Sequence, residues 1–403
     1  MYSNNSHLLK LGCKPAERKA LLDFKSSVTF YDQFVSSSWE GEDCCSWRRV
    51  TCNPTTGHVT KLRLHGSCPG DEFTCDNLFE ARKMESSLVY LLELNHLEHL
   101  DVSGNDFGSS KIPKFMGLMK QLRYLNLSYM SNPLYGKIPD ELGEIPTFNV
   151  QGLRILRLRN NKLEGSIPEE LCSLSNLQIL DLGHNYLTGT IPSCLSNLTQ
   201  MNFGDRLEDF PYEDDVNEVI KGIEREYTTT LGYMVNIDFS CNKLIGSIPE
   251  EITNLSYLLS VNLSYNQLSG QIPGRIGGLK SLESLDLSRN KLQGTIPTSM
   301  GVIYSLEFLD LSYNNLSGQI PTGSQLQTFT NSSYIDNPHL CGYPLSKKCK
   351  GDNDSPNGTS GAQHNEDAES EDKRETMWFY LVVMSGFGTG FWCVVGTLFL
   401  KKS

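Results

Sequence analysis

A 24-residue period constrains the fold of this chain more than any other feature. The phrase LxxLxLxxNxLxGxIP recurs, and its Ile-Pro pairs end at Pro168, Pro192, Pro249, Pro273, Pro297 and Pro321. Four of the five intervals between successive prolines are 24 residues long, and the interval from Pro192 to Pro249 is 57 residues long. A fixed period of this length is typical of solenoids, in which one repeat cannot bury its apolar face alone and neighbouring repeats must stack.

Each repeat predicts one short parallel strand, in which the LxL leucines point into the stack and the residue between them points outward. Weaker copies at 59–65, 97–107 and 122–130 bring the predicted number of coils to nine. An asparagine follows most strands and is predicted to hydrogen-bond along the stack. These asparagines are Asn105, Asn161, Asn185, Asn242, Asn266, Asn290 and Asn314. Met130 takes this place in the third coil, so we expect the ladder to be interrupted there.

The cysteines and the ends of the repeat array predict disulfide-bonded caps. An open solenoid exposes an apolar layer at each end, so terminal caps are required. Twelve cysteines, many in close pairs, favour an oxidising compartment. The spacing favours the pairs Cys45–Cys52, Cys68–Cys75, Cys172–Cys194 and Cys341–Cys349.

Residues 377–400 predict a membrane-spanning helix. They contain no charge, and as a helix they would extend about 36 Å, against about 30 Å for a hydrocarbon core. Lys401 and Lys402 follow, and an acidic run precedes, which places the C-terminus in the cytoplasm. A buried globular helix is the alternative interpretation. Small residues along the segment predict a helix-packing interface formed by Ser385, Gly386, Thr389 and Gly390.

Charge and motifs exclude several function classes. With 35 Lys+Arg against 47 Asp+Glu the net charge is −12, which argues against nucleic acid as a partner. The sequence contains no zinc-type CxxC, P-loop or GxSxG motif, so we expect no enzyme activity, no metal and no cofactor. The start of the sequence has no apolar stretch long enough for a signal peptide, so we expect a fragment or a misplaced start.

The quoted segments resemble a known family. The sequences CKPAERKALLDFK (13–25) and CCSWRRVTC (44–52), with Trp39 between them, are similar to the N-terminal cap of plant extracellular leucine-rich repeats. The sequence NPHLCGYPLSKKC (337–349) is similar to the C-terminal cap. With the LxGxIP repeats, they resemble plant leucine-rich-repeat receptor-like proteins that lack a kinase, in the group of the fungal-xylanase and apple-scab resistance receptors. The resemblance implies a Cys13–Cys44 disulfide, which leaves Cys241 and Cys393 unpaired.

The resemblance also implies a fold, a location and a function. We expect an α/β-type leucine-rich-repeat solenoid with a parallel sheet on its concave face, in a single-pass type I protein of the plasma membrane. It would bind an extracellular elicitor or peptide and signal through an adaptor receptor kinase, in plant defence. The alternatives are a truncated decoy or co-receptor regulator, a developmental peptide co-receptor, and an inhibitor of a pathogen hydrolase.

The predicted organisation follows from these segments. It comprises an N-terminal cap (1–57, with its cysteines in 13–52), repeats one to five (58–198), an island (199–232), repeats six to nine (233–321), a C-terminal cap (322–350), an acidic stalk (351–376), the membrane helix (377–400) and a tail (401–403). The island is rich in acids. It is predicted either to contact a ligand or co-receptor or to be a solvated insertion.

Candidate ligand-binding residues lie in the N-terminal half of the array, where the outward positions vary most. They are Lys61, Arg63, His65, His99, Tyr124, Arg157 and Arg159. The cations among them suit a carboxylate or an acidic peptide, although charges that only keep the concave face soluble are an alternative. Sequons for N-glycosylation occur at Asn4, Asn126, Asn197, Asn254, Asn262, Asn315, Asn331, Asn353 and Asn357.

Overall fold

The computed structural model describes residues 12–66, 76–145, 152–203, 216–220, 223–227, 234–322 and 324–349. Short strands alternate with 3-10 turns along these residues. The helices are α1 (Pro15–Ser27), α2 (Gln33–Ser38), α3 (Met84–Leu88) and α4 (Gln200–Phe203). The strands are β1 (Val28–Phe30), β2 (Val50–Cys52), β3 (Val59–Arg63), β4 (Phe79–Ala81), β5 (His99–Asp101), β6 (Tyr124–Asn126), β7 (Tyr135–Gly136), β8 (Ile155–Arg157), β9 (Lys162–Gly165), β10 (Ile179–Asp181), β11 (Tyr186–Leu187), β12 (Val216–Ile220), β13 (Ile223–Tyr227), β14 (Asn236–Asp238), β15 (Ser260–Asn262), β16 (Ser269–Gly270), β17 (Ser284–Asp286), β18 (Lys291–Gly294), β19 (Phe308–Asp310), β20 (Asn315–Gln319) and β21 (His339–Cys341).

The main sheet runs through the whole repeat array. Its order is β2-β3-β5-β6-β8-β10-β14-β15-β17-β19. From β3 onward all neighbours are parallel, and only β2 is antiparallel, to β3. The described residues therefore supply one parallel strand for each of nine coils. Because β10 pairs directly with β14, the 57-residue interval adds chain between two neighbouring coils without breaking the sheet.

Leucines on the inner side of the strands fill the core. In the coil of β10, for example, Leu180 and Leu182 are completely buried, as are Leu177 and Leu187. In most coils the proline of the IP pair immediately precedes a 3-10 turn, as Pro168, Pro192, Pro249 and Pro297 do. Pro168 has φ −64° and precedes the turn Glu169–Ser173. Because the ring fixes φ near this value, proline begins the turn without strain.

The predicted asparagine ladder is confirmed. Asn185 donates through Nδ2 to the carbonyl oxygens of Leu158, Leu182 and Gly183 at 3.0, 3.1 and 3.1 Å. Its Oδ1 accepts from the Leu163 amide at 3.0 Å, so one side chain satisfies backbone groups of two coils. Met130, at the predicted interruption, is a buried apolar residue.

The ladder has one member that sequence analysis missed. Asn337, in the C-terminal cap, donates to the Leu311 and Tyr334 carbonyls at 2.9 and 3.1 Å and accepts from the Leu316 amide at 2.9 Å. The cap therefore ends the stack by supplying the same side chain as a further coil would.

A left-handed residue precedes the ladder asparagine in most coils. Asn160, His184, Cys241, Tyr265, Arg289 and Tyr313 occupy this column, with φ between 52° and 55°. Within the column, the Arg289 guanidinium lies 4.9 Å from the Tyr265 ring centroid and 3.9 Å from that of Tyr313. Cys241 is the free cysteine of the described residues, and burial raises the pKa of its thiol.

Disulfides secure the caps and one pair of coils. The described residues form Cys13–Cys44, Cys45–Cys52, Cys172–Cys194 and Cys341–Cys349, whereas Cys68, Cys75 and Cys393 lie outside them. In the N-terminal cap the Trp39 and Trp47 rings stack with centroids 5.5 Å apart, and Phe24 meets Phe79 edge-on at 5.6 Å. This aromatic layer covers the first coil.

Smaller sheets complete the structure. Strands β7-β9-β11 and β16-β18-β20-β21 form parallel ladders along the array, and β1 pairs with β4 in the N-terminal cap. Within the predicted island, β12 and β13 form an antiparallel pair. Among the described residues no helix has the length and apolar character needed to cross a bilayer. The predicted stalk, membrane segment and tail lie outside the described residues.

Candidate ligand-binding surface

The parallel register aligns the outward side chains of the sheet into two rows. The first row contains Lys61, His99, Tyr124, Ile155, Ile179, Asn236, Ser260, Ser284 and Phe308. The second row, two residues further along each strand, contains Arg63, Asp101, Asn126, Arg157, Asp181, Asp238, Asn262, Asp286 and Asp310. These rows form the concave face.

Aromatic and apolar side chains occupy the middle of the first row. The His99 and Tyr124 rings stack with centroids 3.9 Å apart and planes 12° from parallel. Tyr124, Ile155 and Ile179 form an apolar cluster separate from the main core, and each is at most 2% exposed. Sequence analysis did not select the two isoleucines. The signal was present, because LRILRL and LQILDL place an apolar residue at an outward strand position.

Asp101 organises the second row beside this cluster. Its Oδ2 accepts from the Tyr124 hydroxyl at 3.3 Å and from Asn126 Nδ2 at 3.1 Å, and its Oδ1 accepts from the Ser103 hydroxyl at 2.6 Å. Asn126 is thus buried with its amide nitrogen engaged, although it lies in a predicted sequon. A glycan on that nitrogen would require this network to open.

Two arginines and two aspartates form a buried charge cluster at the second row, where Arg157, Asp181 and Asp238 belong to the row and Arg159 follows β8. Arg159 Nη1 lies 2.8 Å from Asp238 Oδ2 and 3.4 Å from Asp181 Oδ1, and Arg157 Nη2 lies 3.6 Å from Asp181 Oδ2. Burial lowers the pKa of Arg159, but Asp238 and Asp181 outweigh it and the pKa is raised overall. Arg157 and Arg159 were predicted to face a ligand carboxylate. The structure pairs them with carboxylates of neighbouring coils.

The C-terminal half of the face is mostly polar. Its first row presents Asn236, Ser260, Ser284 and the half-buried Phe308, and its second row presents Asp286 beside Asp310 in register. Burial raises the pKa of Asp286 to about 6, against hydrogen bonds from Ser288 that lower it. This half therefore offers hydroxyls and carboxylates, but no cluster like that of Tyr124.

The remaining predicted residues lie near the N-terminal edge. Lys61 and Arg63 are half-buried on β3, in register with His99 and Asp101. His65 follows the strand, is exposed, and contacts the Gly66 carbonyl through Nδ1 at 2.9 Å. The structure thus places Lys61, His99 and Tyr124 in one row and Arg63 and Arg157 in the other.

The sequons differ in accessibility. Asn262 is half-buried, whereas four of them are exposed, namely Asn197, Asn254, Asn315 and Asn331. Asn4, Asn353 and Asn357 lie outside the described residues, as do the predicted interface residues Ser385, Gly386, Thr389 and Gly390.

Comparison with known families agrees with this geometry. The family model described as "Leucine rich repeat N-terminal domain" matches residues 14–53. Family models of leucine-rich repeats match residues 93–110, 152–174, 176–198, 232–292 and 273–316. A plant ice-binding protein of known structure shares the fold, with a TM-score of 0.57 and 25% identity over 85% of this chain and 100% of that one. The Arabidopsis receptor kinase HAESA, solved with the peptide hormone IDA and the co-receptor SERK1, shares the fold with a TM-score of 0.54 and 23% identity, over 79% of this chain and 49% of that one.

The fold and its caps define a leucine-rich-repeat solenoid of the plant extracellular type. Receptor-like protein EIX1 of Solanum lycopersicum is 39% identical over 172 residues, which cover 41% of this chain and 15% of that protein. Receptor-like protein EIX2 of the same species is 43% identical over 131 residues, covering 32% and 12% respectively. The leucine-rich-repeat domains and these relatives confirm the predicted similarity to plant leucine-rich-repeat receptor-like proteins, and the matches span about a seventh of the length of these relatives.

Proposed function

We propose that this chain is a cell-surface receptor-like protein that binds an extracellular elicitor or peptide on its concave face. The observation that carries this proposal is the contrast between the two halves of that face. A stack needs leucines inside and soluble residues outside, and the coils of β15 and β17 meet this need with serines. It does not need the apolar cluster of Tyr124, Ile155 and Ile179 at outward positions.

The three side chains are at most 2% exposed, so they form a packed apolar base beneath the polar groups beside them, and recognition sites combine such apolar packing with a few orienting polar groups. Here the cluster adjoins His99 and Asp101 in neighbouring positions. We infer that ligand specificity is determined by β5 to β10, and that the later coils form a scaffold.

The signalling route in this proposal depends on the segment 377–400. A single span with small residues at Ser385, Gly386, Thr389 and Gly390 would pack against the span of a receptor kinase, which supplies the catalytic domain. The names of the relatives as receptor-like proteins support a receptor role, and the location at the plasma membrane and the role in defence are part of this proposal. The sequons and disulfides are consistent with an extracellular repeat array.

The proposal is tested with the full chain expressed in leaf tissue. Fungal culture filtrate serves as the probe and the reactive-oxygen burst as the readout. Exchange of Ile155 and Ile179 for alanine is expected to abolish the response, whereas exchange of Ser260 and Ser284 for alanine is expected to preserve it. If the isoleucine variant and the serine variant lost the reactive-oxygen burst equally, at equal protein abundance, the assignment of recognition to β5–β10 would be contradicted.

The kinase partnership is tested separately by co-purification from detergent-solubilised membranes. Wild-type chain is expected to recover a receptor kinase, and a Gly386→Leu/Gly390→Leu variant is expected to lose it. Failure of wild-type, glycosylated protein to recover any kinase would leave an inhibitor function as the better explanation, because a decoy would still associate with the kinase.

A further inference from the structure

Three metal-ligating side chains meet where the N-terminal cap contacts the first coils. Glu17 lies on α1, His58 immediately precedes β3, and His96 lies three residues before β5. One ligand atom from each lies within 4.8 Å of the other two. The three residues are far apart in the sequence, and the docking of the cap on the repeat array brings them together.

The carboxylate of this cluster is fixed in place. Glu17 is only 3% exposed. Its Oε2 accepts from the Val59 amide at 2.8 Å, and its Oε1 lies 2.8 Å from His58 Nδ1. A buried carboxylate is costly unless its oxygens are bound, and here one oxygen is held by the backbone while the other faces an imidazole.

The two imidazoles lie together on the solvent side of that carboxylate. The His58 and His96 rings stack with centroids 3.8 Å apart and planes 20° from parallel. The His58 side chain is 28% exposed and His96 is an exposed residue, so solvent ions reach the cluster. No part of the proposed receptor function uses these side chains.

We propose that Glu17, His58 and His96 bind one divalent transition-metal ion, Zn²⁺ or Cu²⁺. Imidazole nitrogen and carboxylate oxygen are the donors that suit these ions. Bond lengths of about 2.0–2.1 Å place neighbouring ligand atoms about 3.3 Å apart in a tetrahedral site. Glu17 Oε1 and His58 Nδ1 lie 2.8 Å apart and separate by about 0.5 Å to reach that spacing, and the exposed His96 closes the remaining distance by side-chain rotation.

Binding replaces the direct contact between Glu17 and His58. The metal enters between Oε1 and Nδ1, a proton on either atom leaves to solvent, and a His96 nitrogen supplies the third bond. Solvent fills the fourth position. The ion then joins α1 to the segments preceding β3 and β5, and so links the cap to the first two coils.

The test uses purified full chain without a histidine tag, titrated with ZnCl₂ or CuCl₂ by isothermal calorimetry. Wild-type protein is expected to bind one ion per chain and to unfold at a higher temperature when loaded. His96→Ala and Glu17→Gln are each expected to weaken binding at least about tenfold. His339→Ala, which removes another exposed histidine from β21, serves as the matched control and is expected to bind as wild type does.

Electron paramagnetic resonance of the copper-loaded protein gives a second readout, with two coordinated imidazole nitrogens expected in wild type and one in His96→Ala. The proposal is overturned if wild type binds no ion saturably, or if His96→Ala binds as tightly as His339→Ala. Unaltered affinity in Glu17→Gln would overturn the assignment of the carboxylate as a ligand.

Discussion

Arg159 Nη1 lies 2.8 Å from Asp238 Oδ2, although the two residues are 79 positions apart in the sequence. Arg159 follows β8 and Asp238 ends β14, so the contact passes over β10 and joins the coils on either side of the island. Asp181, on the strand between them, lies within 3.4 Å of the same guanidinium atom. The two parts of the array are therefore joined on their concave face by charge as well as by the sheet.

Removal of this guanidinium is expected to destabilise the array. Arg159→Ala leaves the buried Asp181 and Asp238 with less compensating charge, and the expected loss in free energy of unfolding is about 3–5 kcal/mol. Urea denaturation measures it. The further change Asp238→Asn is expected to recover part of the loss, because it removes one of the two carboxylates. Arg275→Ala, on a surface turn, is the control, and a comparable loss in that variant would contradict the explanation.

Asn337, the ladder residue of the C-terminal cap, is expected to contribute as much to the free energy of unfolding as the ladder asparagines within the repeats. Asn337→Ala removes two hydrogen bonds of 3.1 Å or less to carbonyls and one from the Leu316 amide. Because buried polar groups without partners cost about 1–3 kcal/mol each, the loss should be at least about 2 kcal/mol.

Thermal unfolding of Asn337→Ala and Asn185→Ala, compared with wild type, checks this expectation. Asn315→Ala, at an exposed position on β20, provides the control. A midpoint for Asn337→Ala equal to that of the Asn315 variant would show that the cap does not depend on the ladder.

Because its pKa is raised, Asp286 is expected to make the protein less stable as the pH rises. Its pKa is raised by burial to about 6, from an ordinary value near 3.8. A raised carboxyl pKa favours the protonated folded state, so its contribution is most favourable below about pH 4 and is lost as the pH rises through 6. Above that pH, Asp286→Asn is expected to stabilise the protein by at most about 3 kcal/mol.

Urea midpoints of wild type and Asp286→Asn between pH 4 and pH 8 check the sign. The difference between the two proteins should grow from pH 4 to pH 6 and then level off. Asp336→Asn, an exposed residue, is the matched control. If the difference between the urea midpoints of wild type and Asp286→Asn became smaller with rising pH, the prediction would be wrong.

The disulfide between Cys172 and Cys194 is expected to stabilise two adjacent coils. It closes a loop across 22 residues, with Cα atoms 5.6 Å apart. Replacement of both cysteines by serine is expected to lower the free energy of unfolding by about 2–4 kcal/mol, because the unfolded chain regains the freedom of that loop. With reductant, which opens all the disulfides, wild type and the variant should unfold alike, whereas Cys241→Ser should retain wild-type sensitivity to reductant.

The repeat architecture was predictable because it rests on periodic residues. The inward leucines, the prolines at the 3-10 turns and the Asn185-type ladder all recur at a fixed spacing, and local chemistry determines what each does. Asn337 was not predicted, because it lacks the LxL strand that marked the other ladder residues. Its role depends on the cap folding back as another coil.

The chemistry of the concave face was less predictable, because it depends on contacts across the insertion. Arg157 and Arg159 were predicted to be outward-facing cations, but Asp238, the partner of Arg159, becomes a neighbour only because β14 pairs with β10. In the same way, the cluster of Glu17, His58 and His96 forms only once the cap docks on the array. Spacing along the chain contains no signal for either arrangement.

The column of positive-φ residues before the ladder asparagines affects which substitutions such a protein can accept during evolution. Most coils place the residue before the ladder asparagine at φ near 53°, whether that residue is His184, Tyr265 or Arg289. Unbranched side chains bear a similar conformational cost there, so exchanges among them leave the fold almost unaffected. One edge of the solenoid is thereby a series of interchangeable positions, one per coil, at which new surface chemistry can be tried while the core stays constant.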